Sequence, residues 1–165
     1  MHTPPSVSEL YAEAHRLYAY EPETGLLRWK VDTKRARAGD CACHAISEGY
    51  LYCRIFGRRY RAHRVVWLMH HGYFPKEVDH RNRNRKDNRI GNLREATRPQ
   101  NAGNRVDMLR PNAGVKKRKD RKGVFIAQIC INGKRHYLGQ FADEASANAA
   151  YVKASREMRG NFSPV

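Results

Sequence analysis

The sequence has no uninterrupted apolar run near the roughly 18 residues that a membrane span requires, and its acidic residues are few. Its first residues, MHTPPSVSEL, lack a basic segment followed by an apolar stretch, so we expect no secretory signal and a cytoplasmic protein without membrane association. Asp and Glu number 16 against 32 Lys and Arg, which gives a formal net charge of +16 in 165 residues. This excess favours a polyanionic partner, most simply nucleic acid, but does not alone separate DNA from RNA or an anionic membrane.

Cysteine is also scarce. The four cysteines, Cys41, Cys43, Cys53 and Cys130, are too few and too irregularly spaced for a disulfide framework in a chain of this length. Cys41-Ala-Cys43-His44 could supply zinc ligands together with Cys53. The spacing is CxC rather than CxxC, however, and no second pair follows. We therefore expect reduced thiols without metal, and structural zinc is the less favoured alternative.

One stretch, residues 78–105, concentrates residues with catalytic chemistry: VDHRNRNRKDNRIGNLREATRPQNAGNR. It contains the pair Asp79-His80, then Asn92 twelve positions after the histidine and Asn101 nine positions later. A neutral imidazole can accept a proton from water near neutral pH. Each residue alone could have a plain role, with His80 on the surface and the asparagines forming turns or backbone caps. The joint pattern favours one site.

The run D-H, D-N-R-x-x-N-L-R and Q-N-x-x-N resembles the HNH nuclease motif, in the form in which asparagine replaces the last histidine. The resemblance implies a ββα-metal unit: Asp79 and His80 end the first strand, residues 92–96 enter the second, and residues 98–105 form the helix. It implies His80 as general base and Asn92 as the residue that braces the other ring nitrogen of His80. It also implies Asp79 and Asn101 as ligands of one divalent metal ion, Mg²⁺ or Mn²⁺, because hard cations prefer oxygen ligands.

Helical and strand-like patterns precede this motif. The predicted elements are a helix over 7–20 capped by Ser6 or Ser8, a strand over 26–31, a hairpin of strands 50–56 and 59–63 that turns at Gly57-Arg58, and a buried helix over 63–71. The segment GYLYCRI…RRYRAHRVVWLMHHGYFP resembles the one that precedes this nuclease motif in phage proteins.

Arginines crowd the hairpin and the loop of the motif. Interleaved cations and aromatic rings suit contact with phosphates and with sugars or bases. The alternative is a solvated basic hairpin whose tyrosines support the core. The predicted DNA-binding arginines are Arg54, Arg58, Arg59 and Arg61 in the hairpin, and Arg81, Arg83 and Arg85 in the loop.

A second pattern begins at Gly114. Strands are predicted over 114–118, 123–131 and 134–141, with Asn132-Gly133 as a two-residue hairpin turn. Asp143 is expected to cap a helix that ends at Gly160 and packs one face on the sheet through Ala147, Ala150, Tyr151, Ala154 and Met158. The other face of the three-stranded sheet is left open.

The sequence GVKKR…GVFIAQI…NGKRHYLGQF…A-x-A-A-Y…G-N-F resembles the APETALA2/ethylene-response-factor domain, whose three-stranded sheet reads the DNA major groove. Matching positions imply DNA contacts by Lys116, Arg118, Arg135 and Tyr137. Gln128 is added because its side chain should face the same way. Lysine cannot form the bidentate fork of arginine with guanine, so the plant sequence specificity does not transfer. A sheet that serves protein contacts is the alternative.

Together the two resemblances describe an α+β protein, similar to bacteriophage HNH homing endonucleases. The expected regions are an N-terminal helix and strand region over 1–48, a nuclease domain over 49–106, a linker over 107–113 and a DNA-binding domain over 114–163. We expect a monomer that hydrolyses double-stranded DNA to 5′-phosphate and 3′-hydroxyl ends, with no small-molecule substrate. Nicking of one strand and cleavage of both are alternatives that the sequence leaves open. A DNA-binding regulator with an inactive nuclease motif and an RNA-binding accessory protein are the competing interpretations.

Overall fold

The structure is a computed structural model that describes residues 3–45, 48–104, 113–119 and 121–163. The chain divides into two compact units, Met1–Ala96 and Thr97–Val165, and each has its own hydrophobic core. Helices and small antiparallel sheets occur in both units. The predicted α+β class is therefore confirmed.

Among the described residues, the first unit contains two α-helices, a short 3₁₀ helix (Ile90–Asn92) and three small antiparallel sheets. Its elements are α1 (Val7–Leu17), β1 (Tyr18–Glu21), β2 (Leu26–Trp29), β3 (His44–Ala45), β4 (Leu51–Ile55), β5 (Arg58–Arg61), α2 (Ala62–His71), β6 (Glu77–His80) and β7 (Leu93–Ala96). The sheets are β1-β2, β3-β4-β5 and β6-β7. One core joins apolar residues from α1, such as Leu10, to Val65 in α2 and Leu93 in β7. The residues before position 48 therefore share their core with the segment that follows.

Helix α1 begins as predicted and ends earlier. The Ser6 hydroxyl accepts a hydrogen bond from the backbone of Glu9, whose carboxylate accepts one from the Ser6 backbone at 2.7 Å. This capping box satisfies two backbone donors at the start of the helix. The helix was expected to reach Tyr20, but residues 18–21 instead pair with β2. Burial of Tyr18 against the core favours the strand.

The β4–β5 hairpin turns one residue earlier than predicted. Ile55 pairs with Arg58, so that Phe56 and Gly57 are the central residues rather than Gly57 and Arg58. Their φ angles, +50° and +73°, are both left-handed, the combination found in type I′ hairpins. Helix α2 follows directly and begins at Ala62, which shortens the second predicted strand.

The second unit contains a three-stranded sheet packed on a helix. Its elements are α3 (Arg98–Gly103), β8 (Val115–Lys117), β9 (Phe125–Ile131), β10 (Lys134–Phe141) and α4 (Glu144–Arg159), and the strand order is β10-β9-β8. Asp143 caps α4, as predicted. Ala127 and Ile129 of β9 are buried together with Ala147, Tyr151 and Ala154 of α4. Met158 was expected on this buried face, but it is 41% exposed.

Two predictions extend beyond the described residues. Arg105, the expected end of the motif helix, lies outside them, as does most of the linker expected over 107–113. Within the part of the chain that the structure describes, no helix is long and apolar enough to cross a membrane.

Candidate functional site

Strands β6 and β7 place Asp79 and His80 on opposite faces of a two-stranded sheet. Asp79 lies across from Arg94, and His80 lies across from Leu93. Since successive residues of a strand point to opposite faces, the Asp79 carboxylate and the His80 imidazole have different surroundings. Both side chains are buried, each about 5% exposed. The predicted position of this pair at the end of the first strand is observed.

The His80 imidazole is held by Asn88, which is fully buried. Nε2 of His80 lies 3.0 Å from the amide oxygen Oδ1 of Asn88. An amide oxygen only accepts hydrogen bonds, so Nε2 carries the proton and the lone pair of the neutral ring is on Nδ1. Burial lowers the pKa of His80 below its usual value, and the Asn88 hydrogen bond and the charge of Asp79 oppose that shift. The ring is therefore neutral at physiological pH.

Asn92 does not make the contact with His80 that the motif resemblance implied. Its amide nitrogen donates to Asn82 Oδ1 at 3.0 Å and to the Asp87 carbonyl at 2.8 Å, and its amide oxygen accepts from the Asn82 backbone at 3.0 Å. The bracing contact predicted for Asn92 is made by Asn88 instead, and Asn92 closes the loop between β6 and β7. The only sequence signal for Asn88 was its place in the D-N-R run.

The other asparagines of this loop act as turn formers, the plain role considered for them above. The side chain of Asn82 accepts from the Asn84 backbone at 2.9 Å, and the side chain of Asn84 accepts from the Lys86 backbone at 3.1 Å. Arg89 holds the pKa of Asp87 at about 2, so this carboxylate stays charged and anchors the loop. These bonds define the backbone path that carries Asn88 to His80.

Gly25, in the turn between β1 and β2, contacts the same loop. Its φ is +75°, and a Cβ there would lie 2.6 Å from the Asn88 carbonyl carbon and closer still to the Arg89 nitrogen. We predict that Gly25→Ala lowers the free energy of unfolding by roughly 2 to 4 kcal/mol, through left-handed strain and overpacking. The measurement is urea unfolding of both proteins.

Gly72→Ala is the matched control for this prediction. Gly72 has nearly the same φ, +76°, but nothing lies within 4 Å of its added Cβ. That variant should lose only about 1 kcal/mol. Equal losses in the two variants would show that the contact with Asn88 and Arg89 adds nothing.

A second imidazole lies against His80. The ring of His63, in α2, has its centroid 4.9 Å from that of His80 at an interplanar angle of 76°. Its Nδ1 is buried and has no hydrogen-bond partner among the described residues. Burial lowers the pKa of His63 well below its usual value, and repulsion from His80, Arg61 and Arg64 adds to that shift. Sequence reasoning missed this residue, because nothing in the helical pattern distinguished it.

The neutral His63 predicts a loss of stability in acid. Its pKa is lower in the folded protein than in the unfolded chain, so the unfolded chain takes up the proton first as pH falls. Stability is therefore complete above the unfolded pKa of about 6.5 and declines below it, by up to about 1.4 kcal/mol per pH unit for each such histidine. We expect His63→Phe to reduce this slope in urea unfolding between about pH 7.5 and about pH 5.5. The exposed His44 supplies a control, His44→Ala, and a slope unchanged in His63→Phe would contradict the prediction.

Two of the predicted DNA-binding arginines meet on one tyrosine near His80. The guanidinium carbons of Arg61 and Arg85 lie 4.5 and 4.9 Å from the ring centroid of Tyr50. The Tyr50 ring is in turn 6.1 Å from that of His80. Glu48 contacts both arginines. Its carboxylate lies 3.1 Å from Arg61, and its carbonyl accepts a hydrogen bond from Arg85 at 2.9 Å. The hairpin and the loop thus bring their cations to the side of His80.

The remaining arginines of the first unit occupy two other places. Arg54 and Arg59 pair across the outer face of the hairpin, and Arg58 follows the turn. Arg81 and Arg83 lie in the loop after β6. All of these side chains are exposed except that of Arg83, which is partly buried.

Asp79, the expected metal ligand, forms a buried ion pair with Arg94. Its Oδ2 lies 2.7 Å from Nε and 2.6 Å from Nη2 of Arg94. A carboxylate oxygen is the donor type that a hard divalent cation prefers, so the chemistry of the residue fits the metal, although one oxygen already binds a cationic partner. Asn101 is in α3, in the second unit, where its backbone N–H bonds to Thr97. No group of three or more His, Cys, Asp and Glu side chains suited to a metal occurs among the described residues.

The cysteines differ in exposure. Cys43 and Cys53 are buried, and Cys41 and Cys130 are exposed. Burial raises the pKa of the Cys43 thiol to about 11 and raises that of Cys53 further. A zinc ligand is a thiolate, whereas burial favours the protonated form of both thiols.

The open face of the second unit carries most of the residues expected there. Tyr137 pairs with Gln128 and Arg135 with Cys130, so these side chains share the face opposite the buried Ala127 and Ile129. Lys116 lies across from Ile126 on the same face. Arg118 follows β8, and its backbone donates to Val124.

Comparison with known proteins identifies one segment. Residues 60–102, which are 43 of the 165 residues, match the family model described as HNH endonuclease. The matched segment contains Asp79, His80, Asn92 and Asn101. No curated protein and no solved structure matches the chain. The match supports an HNH nuclease and, with it, a protein that binds DNA.

Proposed function

We propose that this chain is a site-recognising DNA endonuclease of the homing type, which hydrolyses phosphodiester bonds in double-stranded DNA. The observation that carries the proposal is the neutral, buried His80, whose ring is oriented by Asn88 inside a segment that matches HNH endonucleases. A general base with a fixed tautomer is what activation of water requires. The high positive charge supplies affinity for the substrate.

In this mechanism Nδ1 of His80 takes a proton from a water molecule as its oxygen attacks the phosphorus. The bond from phosphorus to the 3′ oxygen breaks, which leaves a 5′-phosphate and, once that oxygen is protonated, a 3′-hydroxyl. Asn88 keeps the proton on Nε2 so that Nδ1 remains the base. Asp79 would hold one Mg²⁺ or Mn²⁺, which would stabilise negative charge on the phosphate and on the leaving oxygen. Asn101 remains the second ligand that the motif resemblance implies.

Cationic groups of both units are proposed to bind DNA, with different roles. Arg61 and Arg85, which stack on Tyr50 near His80, would hold phosphates close to the scissile bond. The other proposed phosphate contacts of the first unit are Arg54, Arg58, Arg59, Arg81 and Arg83. In the second unit, the open face of the sheet would read the major groove as in APETALA2-type domains, through Lys116, Arg118, Gln128, Arg135 and Tyr137.

The test is cleavage of supercoiled plasmid and phage DNA by the purified full chain at low salt with Mg²⁺ or Mn²⁺. We expect open-circle or linear products that EDTA abolishes, with ends that DNA ligase can seal without prior treatment. Open-circle product alone would indicate that only one strand is cut. If every substrate stays intact with both metals, the nuclease proposal is wrong.

A second function, a DNA-binding regulator without nuclease activity, has one observation in its favour. The proposed metal ligand Asp79 is already bound to Arg94. The regulator would bind DNA equally well with and without EDTA and would cut none of it.

A further inference from the structure

The tip of the β4–β5 hairpin presents a phenyl ring in an unfavourable backbone conformation. Phe56 has φ +50° and is 52% exposed. Bulky side chains rarely adopt a left-handed backbone, and a type I′ turn prefers Asn or Gly at this position. Among the described residues, Phe56 is not one of those that form the hydrophobic core of its unit or pack against it. Neither local geometry nor burial therefore accounts for a phenylalanine here.

The same turn occurs a second time in the chain with the favoured residue. Asn132 and Gly133, between β9 and β10, have φ values of +49° and +78°, against +50° and +73° for Phe56 and Gly57. The two hairpins thus share one backbone and differ in what the first turn residue presents. Strain of this kind is found where a side chain has a function.

The surroundings of Phe56 are cationic. Residues 51–61, LYCRIFGRRYR, contain four arginines and no acidic residue. Arg54 Nη1 donates to the Gly57 carbonyl at 3.0 Å, and this hydrogen bond stabilises the turn. Arg58 and Arg59 are exposed immediately after it. An exposed apolar tip flanked by guanidinium groups is complementary to a ligand with an apolar stack between two rows of phosphates, which is duplex DNA.

We propose that Phe56 inserts between adjacent base pairs of the bound duplex as a wedge, while Arg54, Arg58 and Arg59 hold the phosphates on either side. This rests on the proposed function only in that the chain binds double-stranded DNA. Apolar side chains that enter the minor groove partly unstack a base step and bend the duplex. The hairpin thereby distorts the bound duplex, and base steps that unstack easily are preferred.

The experiment compares the full-length protein with Phe56→Asn, which recreates the Asn-Gly turn of the second hairpin. Permanganate oxidises unstacked thymines, so it is applied to plasmid DNA saturated with protein at low salt in EDTA, where nothing is cut. We expect several-fold higher reactivity at bound thymines with the wild-type protein and reactivity at the level of free DNA with Phe56→Asn. Affinity should fall about three- to tenfold, while the melting temperature stays the same or rises because Asn suits the turn.

Two further variants make the result specific. Phe56→Leu keeps an apolar wedge and should retain part of the reactivity. Tyr11→Asn removes another exposed aromatic ring of the same unit, from α1, and should leave the reactivity unchanged. Equal reactivity with wild-type protein and Phe56→Asn at full occupancy would overturn the wedge and leave the nuclease proposal standing.

Two outcomes would point elsewhere. If Phe56→Asn weakens binding to vesicles that contain phosphatidylserine and leaves DNA unstacking unchanged, the ring serves a membrane and the inference is wrong. If the wild-type protein binds no duplex DNA, the proposed function and the wedge are wrong together.

Discussion

Replacing His80 by alanine should lower the rate of plasmid cleavage by about 10²- to 10⁴-fold at equal DNA occupancy, because the base that activates water is lost. The loss should appear in the rate with enzyme in excess, where a binding defect does not contribute. Affinity for DNA should hardly change, since His80 is about 5% exposed and is not among the cations proposed to hold phosphates. The measurement is single-turnover nicking of supercoiled plasmid with Mg²⁺.

The controls for this prediction separate chemistry from folding. His44→Ala removes an exposed histidine from β3, in the same unit, and should cleave at the wild-type rate. Melting curves of His80→Ala establish whether the buried site tolerates the smaller side chain. A folded His80→Ala protein that cleaves within about threefold of the wild-type rate would exclude His80 as the base.

Asn88 supports the same chemistry indirectly. In the mechanism it touches no substrate and acts through the tautomer of His80, so it is a positioning residue. Its fully buried amide also explains why the close approach of Gly25 matters, since that glycine leaves room for the Asn88 backbone. The integrity of the base thus depends on a turn more than fifty residues earlier in the chain.

The parts of the fold that follow from local signals were predictable. The caps of α1 and α4, the Asn132-Gly133 turn and the alternation of β9 each depend on a few neighbouring residues. The place of Asp79 and His80 at the end of β6 followed from the motif. Such signals lie within one element and need no knowledge of how elements pack.

The predictions from sequence were wrong or incomplete where tertiary packing determines the structure. Tyr18 continues the helical pattern of α1, yet its burial in the core and its pairing with Trp29 make it part of a strand. Asn88 and Asn92 are both plausible partners for His80 by spacing, and only the closed path of the loop brings Asn88 to the ring. The ion pair between Asp79 and Arg94 arises from strand register, which a motif does not specify.

Removing one partner of that ion pair should strongly destabilise the first unit. We expect Arg94→Met to lower its free energy of unfolding by about 3 to 5 kcal/mol, because the change leaves the Asp79 carboxylate buried without its guanidinium partner. The double variant Arg94→Met/Asp79→Leu should recover most of this loss, since an apolar pair of similar volume replaces a buried ion pair at little net cost. Urea unfolding of the two single variants, the double variant and the wild type completes the cycle.

The exposed pair of Arg37 and Asp32 provides the control, because its side chains are 80% and 60% exposed and Arg37→Met should change stability by less than about 0.5 kcal/mol.

Arg94→Met and the double variant also test whether Asp79 binds metal, without relying on cleavage. If Asp79 is a ligand, Mg²⁺ should stabilise Arg94→Met more than the wild-type protein, since the cation then neutralises a carboxylate that no longer has an arginine beside it. Mg²⁺ should leave the double variant unaffected. Equal stabilisation of Arg94→Met and the double variant would place the metal elsewhere, and Arg94 would then be the permanent partner of Asp79.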